Sequence, residues 1–190
     1  RQMCIRDREK TMDKKMRSIL KQVLKPGRYT GGEYGQVIKN KDEIKCRVAF
    51  CFPDTYEIGM SNLGVRLLYG VLNLEKDVWC ERVYAPWDDM EEKMRENGIP
   101  LFAHESRDPI SNFDFVAFTL QYELSYTNVL NMLELGNIPL LASERDDSYP
   151  IIVGGGPCAY NAEPVADFFD AFSIGEGEEA LPEMTRLYNK

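Results

Sequence analysis

A chain of 190 residues with 44% hydrophobic content suits one domain with a substantial core, since a domain of this size buries roughly 70% of its unfolded surface. With 23 basic against 31 acidic residues the formal net charge is −8, which disfavours nucleic acid as a direct partner because such a chain has no surplus of cations to grip a phosphate backbone. No apolar run reaches the length of a membrane span and no secretory leader opens the chain, while the five cysteines (Cys4, Cys46, Cys51, Cys80 and Cys158) are odd in number and form no C-x-x-C pair, so the expected setting is a reducing cytoplasm without a membrane, a disulfide framework or a metal site in this segment.

Residues 1–8 show no hydrophobic period, and no initiator methionine stands before them. They are expected to be a translated adapter-type remnant outside the fold. Residues 9–46 read as an N-terminal arm. Within it, 11–24 carry Met12, Met16, Ile19, Leu20, Val23 and Leu24 at helical spacing, and Pro26-Gly27 ends that helix. A glycine-rich turn, Thr30-Gly31-Gly32-Glu33-Tyr34, follows. The runs on either side of Asn40-Lys41-Asp42 predict a hairpin feeding the main sheet.

The domain proper is read as 47–190. Val48 to Phe52 is an apolar run of strand length, broken by Pro53-Asp54. A helix then opens at 59–62 with Leu63, Leu67, Leu68, Val71 and Leu72 at helical spacing. A second strand is predicted over 78–85, and a short surface helix runs from Pro86-Trp87-Asp88-Asp89 to Gly98. Residues 113–120 are a strong buried-strand candidate, followed by a helix over 125–135 that Gly136 closes. Further strands are predicted at 149–153 and 171–174, with a short helix between them around 163–169. The last helix, 178–190, has no Gly or Pro after it, and the chain reads as a fragment cut at both ends. Strands alternating with helices imply an α/β fold with a doubly wound, mostly parallel sheet of Rossmann-like, flavodoxin-like type.

In a parallel sheet the strand C-termini lie on one edge, where ligands sit. Four loops end there: 54–59, 119–123, 154–157 and 175–178. Three consecutive glycines at 154–156 let a backbone approach a bulky ligand, or simply make a tight turn. Glu176, Glu178 and Glu179 beside Gly175 and Gly177 read as the acidic first turn of a helix, and they repel phosphate. No loop matches the dinucleotide or nucleoside-triphosphate glycine signatures, and no G-x-S-x-G elbow is present. His104, the sole histidine, reads as a surface or packing residue before a catalytic base. Phe118, Tyr122 and Tyr126 read as core and rim packing.

These motifs, in this order, resemble the cobalamin-binding domain at the N-terminus of many radical S-adenosylmethionine enzymes. In that family the first loop reads D-x-H-x-x-G, the third strand ends in S-x-L or S-x-T, the fourth ends in G-G, and G-E-G-E closes the domain. Here the corresponding residues are Asp54 to Gly59, Thr119-Leu120-Gln121, Gly154-Gly155-Gly156 and Gly175-Glu176-Gly177-Glu178. The runs 56–64 and 120–128 are similar to one particular branch of those enzymes, and the resemblance covers roughly residues 15–190. It implies a module that presents cobalamin, or substrate, to a downstream radical domain in cis. That domain would carry a four-iron four-sulfur cluster and S-adenosylmethionine. The implied cofactor-binding residues are Asp54, Tyr56, Gly59, Met60, Ser61, Thr119, Gln121, Tyr122, Glu123, Gly154, Gly155, Gly156, Pro157, Gly175, Glu176, Gly177 and Glu178.

Two departures qualify that implication. Tyr56 stands where the family's cobalt-ligating histidine falls, and a phenol with a pKa near 10 is a poor neutral-pH ligand. Any cobalamin is therefore expected without a protein lower ligand, its nucleotide tail beside 154–156 and Thr119. The alternative reading is a cofactor-free recognition or docking module that kept the fold and lost the vitamin. The cluster-binding C-x3-C-x2-C is absent from 1–190, so no residue of this segment is expected to be catalytic.

Overall fold

The computed structural model describes residues 14–189, so the expected remnant at 1–8, Cys4 and the start of the helix expected at 11–24 lie outside the described residues. Five strands, β1 (Cys46–Phe52), β2 (Val78–Tyr84), β3 (Phe115–Thr119), β4 (Ile151–Gly155) and β5 (Ala171–Phe172), form one sheet in the order β2-β1-β3-β4-β5. Every pairing is parallel. The helices are α1 (Lys14–Leu20), α2 (Tyr56–Ser61), α3 (Leu63–Leu74), α4 (Asp88–Asn97), α5 (Tyr126–Leu135) and α6 (Gly177–Tyr188). This is the doubly wound α/β architecture expected from the alternation.

The strands are mostly apolar because both faces of the sheet are covered, with Arg47 of β1 and Glu81 and Arg82 of β2 as the charged exceptions. On one face Ala49, Cys51, Val116, Phe118 and Ile152 pack with Ile19 and Leu20 of α1, Met90 and Met94 of α4, and Val129, Met132 and Leu133 of α5. On the other, Val48, Phe50, Phe52, Phe115, Ala117 and Val153 meet Val65, Tyr69 and Leu72 of α3 and Leu181 of α6.

The chain departs from the expected elements in two places. The helix after β1 is two helices. Asn62 interrupts them, because its side chain accepts from the Val65 backbone N–H at 3.0 Å and caps α3. No hairpin forms over 35–47. The backbone groups a ladder needs are taken by side chains: Val37 N–H donates to the Tyr69 hydroxyl (2.7 Å), and the Trp79 indole donates to the Val37 carbonyl (3.1 Å). The segment therefore runs beside β2 as an irregular arm rather than as strands. Two shorter shifts are local: α5 begins at Tyr126, and β4 reaches into the glycine run to Gly155.

Candidate functional site

From β1 the chain crosses to β2 on one flank, whereas β3 leads to β4 on the other. The strand order therefore reverses between β1 and β3, and the edge above their C-terminal ends is where open α/β sheets place a ligand crevice. Asp54 stands on the β1 side and Gln121 and Tyr122 on the β3 side. The Tyr122 hydroxyl donates to Asp54 Oδ2 across the crevice at 2.5 Å, and this bond holds the phenol above its ordinary pKa. Asn128, from the first turns of α5, donates to the Pro53 carbonyl at 2.9 Å and ties the same two sides together. Behind them, Gln121 Nε2 donates to the buried Thr119 Oγ1 at 2.6 Å.

The β3 and β4 loops are stitched together by backbone. Leu120 N–H donates to the Gly155 carbonyl (2.7 Å), and Cys158 N–H donates to the Leu120 carbonyl (3.0 Å). The three glycines of the β4 loop have different reasons to be glycine. A Cβ on Gly154 would lie 2.8 Å from the Phe172 ring, so packing requires glycine there. Gly156 has φ +96°, and a Cβ would meet the Leu120 carbonyl at 3.0 Å, so the turn requires it. Gly155 is different: its φ is not positive, and its nearest neighbours would be Ser173 atoms at 3.8 and 3.9 Å. Nothing in the fold demands glycine at 155, and its half-buried position beside Thr119 leaves bare backbone facing the edge.

Other expected site residues are placed elsewhere. Gly59 is buried under the Tyr84 ring, where a Cβ would come within 2.4 Å. The Met60 sulfur accepts from the Tyr84 hydroxyl (2.9 Å) and Arg82 Nη1 (3.3 Å). Tyr56 turns toward β2, stacked on His104 with ring centroids 5.3 Å apart, and its hydroxyl donates to Glu33 Oε1 at 3.3 Å. Ser61 is exposed and bonds back to the Ile58 carbonyl. Glu123 and Pro157 are exposed at the starts of short 3-10 turns. Gly175, Glu176, Gly177 and Glu178 lead into α6, with Gly177 packed on Leu68 of α3. The crevice thus gathers Asp54, Thr119, Gln121, Tyr122, Gly155 and Gly156, whereas Tyr56, Gly59 and Met60 belong to a separate cluster beside β2.

That cluster is the feature the sequence reading missed. Arg82 is 4% exposed within β2. Its Nε donates to Glu105 Oε1 and its backbone N–H to Glu105 Oε2, both at 2.7 Å, and its guanidinium lies 4.5 Å over the Tyr69 ring. Burial opposes the Arg82 charge, but Glu105 outweighs it and holds the guanidinium protonated. Burial raises the Glu105 carboxyl to about 7 against the pull of Arg82. Burial, with Arg107 and Arg82 adding to it, pushes His104 down to about 3. Burial, then Glu33, raises Tyr56 to about 12. The available signal was Glu81-Arg82 inside the strand predicted over 78–85, since charges in a covered sheet need partners.

The crevice offers hydroxyls, an amide, a carboxylate and bare backbone. Such a set suits a polar ligand and includes no activated nucleophile. The Cys51 and Cys80 thiols are buried and held well above their ordinary pKa, which leaves them inert. Among the described residues no group of three or more His, Cys, Asp or Glu side chains is arranged to hold a metal ion, and no helix is long and apolar enough to cross a membrane.

Residues 64–190 match the family model for the N-terminal region of radical SAM proteins. The chain is also 30% identical, over 132 residues, to an uncharacterized protein of Methanocaldococcus jannaschii. That match covers 69% of this chain and 24% of the relative, so the chain spans about a quarter of the relative's length.

Proposed function

The chain belongs to the family of N-terminal regions of radical SAM proteins, and from that premise we propose that it is the cobalamin-binding-like module of a radical SAM enzyme. Its parent would carry the iron–sulfur cluster and S-adenosylmethionine in a domain joined in cis. The module's task would be to present cobalamin, or the substrate, to that domain from the sheet edge.

The observation that carries this reading is Gly155. Where neighbouring glycines answer to packing or to a positive φ, a Cβ at Gly155 would make only ordinary contact, with Ser173 atoms at 3.8 and 3.9 Å. A glycine that the fold does not need suits a backbone that a flat or bulky group must approach. Thr119, held by Gln121, adjoins it on the paired strand. This half of the crevice fits the nucleotide tail of cobalamin. The other half supplies no ligand to cobalt, because the Tyr56 hydroxyl is engaged by Glu33 on the β2 side. Bound cobalamin would bring the cobalt chemistry; this chain's own residues would hold and orient it.

A titration with hydroxocobalamin, followed by absorbance and gel filtration, tests the proposal. A stoichiometric co-eluting chromophore, lost in Gly155→Trp, is the expected result. No retention at tens of micromolar by the whole parent protein refutes it. The Tyr122–Asp54 bond across the crevice favours a second reading, a docking module without a cofactor. In that case the parent retains no chromophore, yet Gly155→Trp still weakens association between this module and the rest of the protein.

A further inference from the structure

The helix α3 buries Val65, Tyr69 and Leu72 against the sheet. Its opposite side is apolar too. Leu63, Leu67 and Leu74 are 73%, 41% and 83% exposed. With Gly70 they fall at i, i+4, i+7 and i+11, which makes one continuous stripe along the helix. Arg66, at the flank of the stripe, is the only charged residue of α3. A surface helix ordinarily turns its charges outward, as α4 does with Asp88, Glu92, Arg95 and Glu96. Single exposed leucines need no explanation, but a full helical stripe of them marks a face made for a partner.

Gly70 lies near the middle of that stripe. Its φ is not positive, and a Cβ there would meet nothing within 4 Å. Neither backbone geometry nor packing within this chain asks for glycine at 70, and glycine weakens a helix interior. Bare backbone in the middle of an apolar stripe is the point at which a second helix can come closest to the first. The leucines on either side would then pack into the grooves of that second helix.

We propose that the outer face of α3 is a docking surface for an apolar helix from the downstream polypeptide of the parent protein, crossing at Gly70 and presenting a carboxylate to Arg66. Family membership supplies the premise, not the cofactor reading. The match covers only 24% of the relative, so a parent of that kind has ample polypeptide to cover the stripe. The placement of α6 brings that polypeptide within reach. Gly177 packs on Leu68 and Arg186 pairs with Glu75, so α6 runs alongside α3 and the chain leaves it beside the C-terminal end of α3. A second copy of the chain is a poorer occupant. A 12-residue helix offers a surface about 18 Å long and 10 Å wide, well short of the roughly 800 Å² per partner that a stable dimer buries. A tethered helix needs less area, because the tether keeps it at a high effective concentration.

Hydroxyl-radical footprinting of the full-length parent, prepared without cobalamin, tests this by labelling exposed leucine side chains. Leu63 and Leu74 should be labelled several-fold less in the folded parent than in its proteolytic peptides, and the protection should persist on dilution, as for a contact in cis. Gly70→Glu places a charge on the stripe where the fold leaves room for a side chain. In that variant the labelling of Leu63 and Leu74 should return to the peptide level while circular dichroism shows the fold intact. Wild-type labelling near the peptide level overturns the proposal, and so does protection that Gly70→Glu leaves in place. Protection that fades on dilution, with a dimer seen by gel filtration, also overturns it and gives the face to a second copy. The wild-type comparison decides even if Gly70→Glu fails to fold. With no cobalamin present the result is independent of the crevice, so a parent that retains no hydroxocobalamin leaves this inference standing.

Discussion

Replacing glycine by alanine at 154 and at 155 separates a glycine kept for packing from one the fold does not need. At Gly154 the new methyl would lie 2.8 Å from two Phe172 ring carbons and 3.1 Å from the Phe169 ring. Those two rings are themselves packed together, with centroids 4.9 Å apart, so neither can swing away freely. Overpacking of this kind costs about 1–3 kcal/mol. At Gly155 the methyl would meet only Ser173 atoms at 3.8 and 3.9 Å, an ordinary contact distance. Alanine in a strand then gains about 0.5–1 kcal/mol over glycine, because the unfolded chain loses freedom. For a domain of this size each kcal/mol moves Tm by about 2–4 °C. Thermal and urea unfolding should show Gly154→Ala destabilised and Gly155→Ala unchanged or slightly stabilised, both with an unaltered urea m-value. If Gly155→Ala costs as much as Gly154→Ala, the fold itself requires that glycine. The argument that Gly155 is reserved for a ligand then fails, and the proposed cofactor site loses its support.

Two further outcomes follow from the electrostatics and from a helix cap. His104 is neutral in the folded chain down to about pH 3, whereas an unfolded histidine takes up its proton near 6.5. The unfolded state thus binds more protons between those values, so this contribution is complete above pH 6.5 and is lost as the pH falls toward 3. At pH 5 the loss is about 2 kcal/mol by linkage. His104→Gln removes the titration while leaving Glu105 to titrate in both proteins. The stability gap between wild type and variant, read by urea unfolding, should therefore narrow by that amount between pH 7.5 and pH 5; a gap independent of pH refutes the buried neutral ring. Asn62→Ala removes the side chain that accepts from Val65 N–H at the start of α3. It should cost about 1 kcal/mol in the same assay, and a neutral effect would mean that α3 does not depend on this cap.

The fold was legible because its signals are local. Most strands are largely apolar runs buried on both faces, and the longer helices repeat their core residues every third or fourth position, so the alternation alone implied a parallel sheet. The hairpin expected over 35–47 failed for a non-local reason. Val37 has the backbone groups of a strand residue, but Tyr69 and Trp79, more than thirty positions away, claim them first. The site shows the same division. Identical letters at 154, 155 and 156 conceal three different settings: a clash with Phe172, an ordinary contact with Ser173 and a positive φ against the Leu120 carbonyl. Spacing along the chain carries no trace of that difference. Likewise Glu81-Arg82 announces, inside a buried strand, that partners must exist. Those partners come from Arg47, Glu105 and the glycine-rich turn that delivers Glu33. A buried charge in a sequence is therefore a reliable signal that a polar cluster exists, and a poor guide to its members, because its partners are chosen by the topology of the sheet edge rather than by any period in the chain.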